Sequence, residues 1–346
     1  MRNEHNQIDK CKKGAWGKRI GMILIGMIIL CGILFSIKPI RSTVLTYAIK
    51  LLSYFEHSTL DETPNIKPNS LTIKVAELED EDEEYEYISL DRDGIYGGEL
   101  ILVNEEEIYR FKNNDELVSI AKNKNNKYKL MNQGMLLSIK MVQSLNHMMT
   151  DFEKYTGKHD MIITSAYRSL EEQNEALEEK INEFGEEDAL KWAMLPGYSE
   201  HHTGYAVDMS IRTDDDVYIP YKGQNEYSWI NKNCFKYGIV RRYTEDKVAI
   251  TGISNESWHY RFVGIPHAYL MTIHDFCLEE YIAYLRQFTF EEEHLIINIE
   301  EGNYEIYYVA ANDTGNTDVP IPKNRPYSIS GNNIDGFIVT VYLKME

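Results

Sequence analysis

A chain of 346 residues with 43% hydrophobic content holds enough apolar material for one large domain or two modest ones. Its net charge of −19 at pH 7 argues against a nucleic-acid binder. The charge is uneven: residues 1–41 carry eight Lys/Arg against two Asp/Glu, and the remainder carries 28 against 53.

Residues 1–19 form a basic segment with Arg2, Lys10, Lys12, Lys13, Lys18 and Arg19. Ile20 to Ile37 then runs without a charge, close to the length that spans a hydrocarbon core of about 30 Å. No small-x-small site closes this run, and it exceeds a signal h-region of about 7–15 residues. A soluble helix would show a polar face, which it lacks. The run therefore reads as a single uncleaved membrane anchor at 20–37. The positive-inside rule keeps its N-terminus cytoplasmic and places the rest outside the bacterial membrane. Residues 38–96 read as a juxtamembrane segment and linker. Val44, Leu45, Ile49, Leu52 and Phe55 suggest an amphipathic helix, Pro64 and Pro68 break it, and Leu71 to Ala76 alternates like a short strand. Glu77 to Glu86 holds eight acids in ten residues, a self-repelling solvated spacer without the glycine-punctuated spacing of a calcium loop.

From 97 to 288 the texture is that of a folded domain. Glu99 to Val103 reads as a buried strand, and Leu136 to Tyr155 as a core helix. Met161 to Thr164 reads as a strand. Ser169 with Glu172 forms a capping box opening a helix through Phe184. Tyr205 to Ile211 is a predicted strand, Trp229 to Lys236 a helix, Val248 to Ile253 a strand, Glu256 to Val263 loop and strand, and 268–287 a helix. Residues 289–346 form a small β-rich module: a hairpin over 295–311 with a Glu-Gly-Asn turn, and a strand pair over 326–343 around Gly331. Cys234 and Cys277 either pair or stay as two buried thiols, and neither has the close partner of a metal knuckle.

Two stretches carry chemistry. Pro196 to Asp208 holds His201, His202, Gly204 and Asp208, and Glu256 to Arg261 holds Glu256 and His259. Two imidazoles, a carboxylate and a spare glutamate are the inventory of a hydrolytic zinc site, which needs three ligands and an open position for water. Strand alternation aims Asp208 to the same side as Ala206 and sends Val207 and Met209 to the core. His201 then arrives from the loop ahead, with His202 as its rival. Glu256 need not ligate; it would take a proton from the attacking water and pass it to the leaving amine.

Ser199-Glu-His-His-Thr-Gly-Tyr-Ala-Val-Asp208 matches an S-x-H-x-x-G-x-A-x-D signature, and Glu256-Ser-Trp-His259 an E-x-W-H partner. Together they resemble the VanY-type D-alanyl-D-alanine carboxypeptidases, relatives of the VanX dipeptidases. Tyr167-Arg-Ser through Gln173 resembles that family's Y-R-S-x-x-x-Q segment. The resemblance implies an α+β fold, a small antiparallel sheet flanked by helices. It implies Zn2+ on His201, Asp208 and His259, with His202 at a variable position. It also implies Glu256 as base and acid, Arg168 stabilising the substrate oxyanion, and Ser199 and Gln173 as polar contacts to substrate. The implied substrate is a peptidoglycan stem peptide or lipid-linked precursor ending in D-Ala-D-Ala. A D,D-dipeptidase, an endopeptidase, or a non-catalytic zinc-containing wall-binding module are the alternatives on the same fold.

Overall fold

A computed structural model describes residues 72–76, 84–111, 117–213, 215 and 217–343. The basic segment, the apolar run at 20–37, the juxtamembrane stretch and most of the acidic run lie outside the described residues. No described helix is long and apolar enough to cross a membrane.

The strands are β1 (Thr72–Ala76), β2 (Tyr85–Leu90), β3 (Leu117–Ser119), β4 (Lys129–Leu130), β5 (Leu136–Ser138), β6 (Met161–Ser165), β7 (Ala206–Arg212), β8 (Tyr218–Pro220), β9 (Ile239–Tyr243) and β10 (Glu256–Phe262). After them come β11 (His294–Ile299), β12 (Gly302–Ala310), β13 (Thr317–Pro322), β14 (Tyr327–Gly331) and β15 (Gly336–Leu343). The main helices are α1 (Ile139–Thr156), α2 (Leu170–Phe184), α3 (Ser228–Asn233), α4 (Ile265–His274) and α5 (Leu278–Leu285).

The central sheet has the order β4-β6-β7-β10-β9, with β8 added to β7. Its pairings are antiparallel except β4 with β6. α1 lies against it because Met141, Val142, Leu145, Met148, Met149 and Phe152 recur at helical spacing and are buried. They share one core with Ile163 of β6, Val207 and Met209 of β7 and Tyr260 of β10. α1 begins at Ile139 rather than Leu136, because Leu136–Ser138 pairs with β3 and the Ser138 hydroxyl caps the helix on the Met141 N–H. α2 carries the expected capping box, formed by Ser169 and Glu172.

Four predicted elements differ. Glu99 to Val103 is buried, yet it is not a strand. The Leu100 N–H bonds the Ser330 hydroxyl at 2.9 Å and the Leu102 N–H bonds the Asn332 carbonyl at 3.2 Å, while the carbonyls of Glu99 and Ile101 accept from Arg261. Burial needs satisfied backbone groups, and here they are satisfied without a ladder. Val248 to Ile253 contains a one-turn helix, Val248–Thr251, closed by Gly252 at φ 74°; so short an apolar run fits helix or strand equally. The helix expected over 268–287 is α4 and α5, separated where Asp275 turns left-handed at φ 52°. Trp229 to Lys236 is α3 followed by a 3-10 turn over Cys234–Tyr237. Cys234 and Cys277 are both buried and free.

The tail forms the expected hairpins, β11 with β12 and β14 with β15. Its five-stranded sheet is completed upstream, where β1 pairs with β11, and β13 pairs with β2 in a separate two-stranded sheet. A core of Tyr307, Val319, Ile321, Phe337, Val339 and Val341 also takes in Ile95. Residues from Asn65 to Glu346 form one compact unit.

Candidate active site

Residues 51 positions apart meet because β7 and β10 are antiparallel neighbours with His259 directly opposite Asp208. Opposed residues on one sheet face hold their Cβ atoms about 4.5–5.5 Å apart. His201 enters from a 3-10 turn, Glu200–Thr203, just ahead of β7. Gly204 closes that turn at φ 73°, and a Cβ there would lie 2.3 Å from Leu117 Cδ2, so only glycine fits. Glu256 and His259 are three apart, which in a regular strand puts them on opposite faces. The pairing of β10 with β9 shifts register between Glu256 and Tyr260. This irregularity re-aims the glutamate, so Glu256 Oε2 lies 3.7 Å from His259 Nδ1.

His201 Nε2 lies 3.3 Å from Asp208 Oδ2, and His259 Nδ1 lies 3.1 Å from Asp208 Oδ1. One nitrogen or oxygen from each of the three residues falls within 4.8 Å of the others, a set able to hold a metal ion. The remaining ring nitrogens are fixed from outside. His201 Nδ1 bonds the Ala166 carbonyl at 2.6 Å, and His259 Nε2 lies 3.3 Å from Glu200 Oε2. Each imidazole so held turns its other nitrogen toward Asp208, as ligating histidines do. The donors also fit a cation electrostatically. Burial and Arg168 lower the His201 pKa to about 4. Burial opposes charge on His259, but Asp208 and Glu200 outweigh it and raise that pKa to about 9. Burial pushes the Glu256 carboxyl up to about 8 against the pull of His259. Asp208 stays well below the usual carboxylate range, since the two histidines outweigh its burial.

Arg168 reaches the same centre, with Nη2 3.0 Å from Asp208 Oδ2. Its Nε donates to the Ser165 hydroxyl and its Nη1 to Gln173 Oε1. Gln173, expected as a substrate contact, has its other amide atom on the Met194 carbonyl at 2.8 Å. Both ends are engaged, one of them on Arg168, and the side chain also lines the cavity. Ser199 is buried and lines the site, and its hydroxyl accepts from the His201 N–H at 3.4 Å. His202 stands apart from the centre: Nδ1 bonds the Arg168 carbonyl at 2.7 Å and Nε2 accepts the Gly197 N–H at 2.9 Å. Arg168, Ser199, His201, Asp208, Glu256 and His259 line one cavity of about 530 Å³.

Sequence reasoning missed what stands behind His259. Glu200 Oε1 accepts from Arg242 Nε at 2.8 Å and lies 3.1 Å from Arg261 Nη1, a charge contact without hydrogen-bond alignment. Arg242 in turn grips Glu279 with two bonds of 2.7 and 2.9 Å. All four side chains are at most 8% exposed. The available signal was parity: Arg261 is two residues after His259, hence a charge on the same face of β10.

The chain is similar in sequence and fold to known proteins. A family profile described as "VanY: D-alanyl-D-alanine carboxypeptidase" matches residues 134–265. A D-alanyl-D-alanine carboxypeptidase of Enterococcus faecium is 36% identical over 251 residues, covering 72% of this chain and 76% of the relative. The bifunctional D-Ala-D-Ala dipeptidase and carboxypeptidase VanXYC of Enterococcus gallinarum is 37% identical over 131 residues, 37% of this chain and 69% of the relative. Among solved structures, the vancomycin-resistance D,D-dipeptidase VanXYg in complex with a D-Ala-D-Ala phosphinate analogue superposes with a TM-score of 0.67 at 33% identity. That match covers 75% of this chain and 100% of the other.

Proposed function

The chain belongs to the VanY family of D-alanyl-D-alanine carboxypeptidases, and on that premise we propose that it is a zinc-dependent exopeptidase that removes the terminal D-Ala from peptidoglycan stem peptides or their lipid-linked precursors. The observation that carries this reading is the meeting of His201, Asp208 and His259 in one cavity with an unligated carboxylate, Glu256, and a cation, Arg168. His201, Asp208 and His259 would hold the zinc, an N/O/N set of the kind catalytic zinc takes. When bound, zinc polarises a carbonyl and lowers the pKa of water to about 7.

The chain's own groups perform the rest. Glu256 takes the proton of the attacking water and delivers it to the departing amine of D-Ala. Arg168, held by Ser165 and Gln173, offers its guanidinium to the oxyanion that develops on the scissile carbonyl. The apolar run at 20–37 serves as a single-pass anchor in this reading, holding the domain outside the bacterial membrane, where the substrate is displayed. Trimming that terminus would contribute to glycopeptide resistance. The matched dipeptidase structure favours free D-Ala-D-Ala as a second substrate.

The test is mass spectrometry of a UDP-muramyl-pentapeptide, and of D-Ala-D-Ala in parallel, incubated with zinc-loaded protein. Zinc-dependent loss of one alanine from the pentapeptide is expected. Intact pentapeptide after incubation with well-folded, zinc-loaded protein would refute the proposal.

A further inference from the structure

The cavity is longer than two alanines require. α2 gives it Gln173, Ala176, Lys180 and Phe184, one helical face at spacings of three and four. At 1.5 Å per residue this face runs about 16 Å, whereas two extended residues cover about 7 Å. From the Phe184 end of this face the rings of Phe184, Trp192 and Trp258 stack in succession. Their centroids are 5.6 and 6.3 Å apart, and their planes are inclined by 21° and 16°. All three rings line the cavity that holds Glu256 and His259, and the row ends at Phe184, which is 41% exposed. Trp192 is half-buried and faces the same cavity. The row thus presents apolar ring surface to the cavity and to solvent. The Lys180 ammonium pairs with Glu183 at 2.6 Å and sits over the Phe184 ring.

We propose that the Phe184–Trp192–Trp258 row is an upstream subsite that holds the peptide N-terminal to the D-Ala-D-Ala end, so that the enzyme prefers long stem peptides to short acylated dipeptides. This rests on the carboxypeptidase reading above and adds to it the groups that measure the substrate's length. The occupant is peptide and not glycan on grounds of reach. A face of about 16 Å takes about five extended residues, which uses up the stem before its sugar. Flat rings suit this task because they give large contact area at little conformational cost.

The test compares kcat/KM for a sugar-free stem pentapeptide with that for acetyl-D-Ala-D-Ala. Trp192→Ala and Phe184→Ala should each lower the ratio of the two by about tenfold, mainly through KM for the pentapeptide. Phe184 is exposed, so its replacement leaves the fold intact if Trp192→Ala does not. Equal losses on both substrates, or no loss on either, overturn the proposal. So does a loss seen only when the sugar is attached, which would assign the rings to glycan. A titration of tryptophan fluorescence with the pentapeptide, run on Glu256→Gln protein, reads the subsite without turnover. Saturable quenching that Trp192→Phe diminishes supports it even if no substrate is cleaved, and absent quenching overturns it.

Discussion

Glu200 offers a sharp test of how the site is built. It is buried, and it joins His259 to Arg242 and Arg261, which with Glu279 make a set of two cations and two anions. Burial works to raise its pKa, but the two arginines and His259 lower it further. A carboxyl with a depressed folded-state pKa stabilises the protein above its unfolded value of 4.5 and loses that contribution as pH falls, so at pH 7 the contribution is complete. Glu200→Gln preserves shape and removes one charge. Breaking one member of a buried ion network costs about 3 kcal/mol or more. For a unit of this size that shifts the melting midpoint by roughly 5 °C. The same change frees His259 Nε2 from its carboxylate, and loss of such a partner weakens metal affinity by roughly 10–100-fold. Melting in excess chelator isolates the first effect, and competition for zinc against a chromophoric chelator isolates the second. An unchanged midpoint in chelator would refute the ion-network argument. An unchanged zinc affinity would refute the role assigned to the Glu200–His259 contact.

Glu256→Gln should retain stoichiometric zinc and lose roughly 10²–10⁴ in kcat; a full rate with metal bound would mean the base is another group. Gln173→Ala releases Arg168 Nη1 from its 3.1 Å bond, so kcat should fall while zinc content stays constant; Gln173→Glu, which keeps an acceptor, should recover part of the rate in the same assay. His267 lies between the Tyr281 hydroxyl at 2.7 Å and the Thr340 hydroxyl at 2.9 Å, and burial lowers its pKa to about 3. It is neutral when folded, while the unfolded chain protonates it below about 6.5. Its share of stability is therefore intact above pH 6.5 and declines as pH falls toward 3, by about 2 kcal/mol at pH 5. Denaturant melts at pH 7 and pH 5 should show a smaller difference for His267→Leu than for the wild-type chain, although its absolute stability is lower.

How much of this was legible in sequence follows from where each contact is stored. His201 and Asp208 are read from one window, because a glycine-closed turn feeding a strand is a local device. α1 and α2 are legible for the same reason, through their apolar spacing and their serine caps. His259 needed the second motif, and only the β7–β10 register shows why it lies opposite Asp208. Glu256 is harder: strict alternation sends it away from His259, and the register shift that brings it back depends on the neighbouring strand β9. Glu99 to Val103 is apolar enough to pass for a strand, but its hydrogen bonds go to Arg261, to Ser330 of β14 and to the loop after it. Glu200 is the extreme case. It stands beside His201, at the free position of its own motif, where nothing in the sequence marks it. What makes it buried and ionised is two arginines from β9 and β10, neither stable there without Glu200 and Glu279. The four charges are admissible only together, so they should tolerate joint replacement by apolar groups better than the loss of any one. That pattern would appear in double-mutant cycles as coupling of Glu200 with Arg242 well beyond additivity.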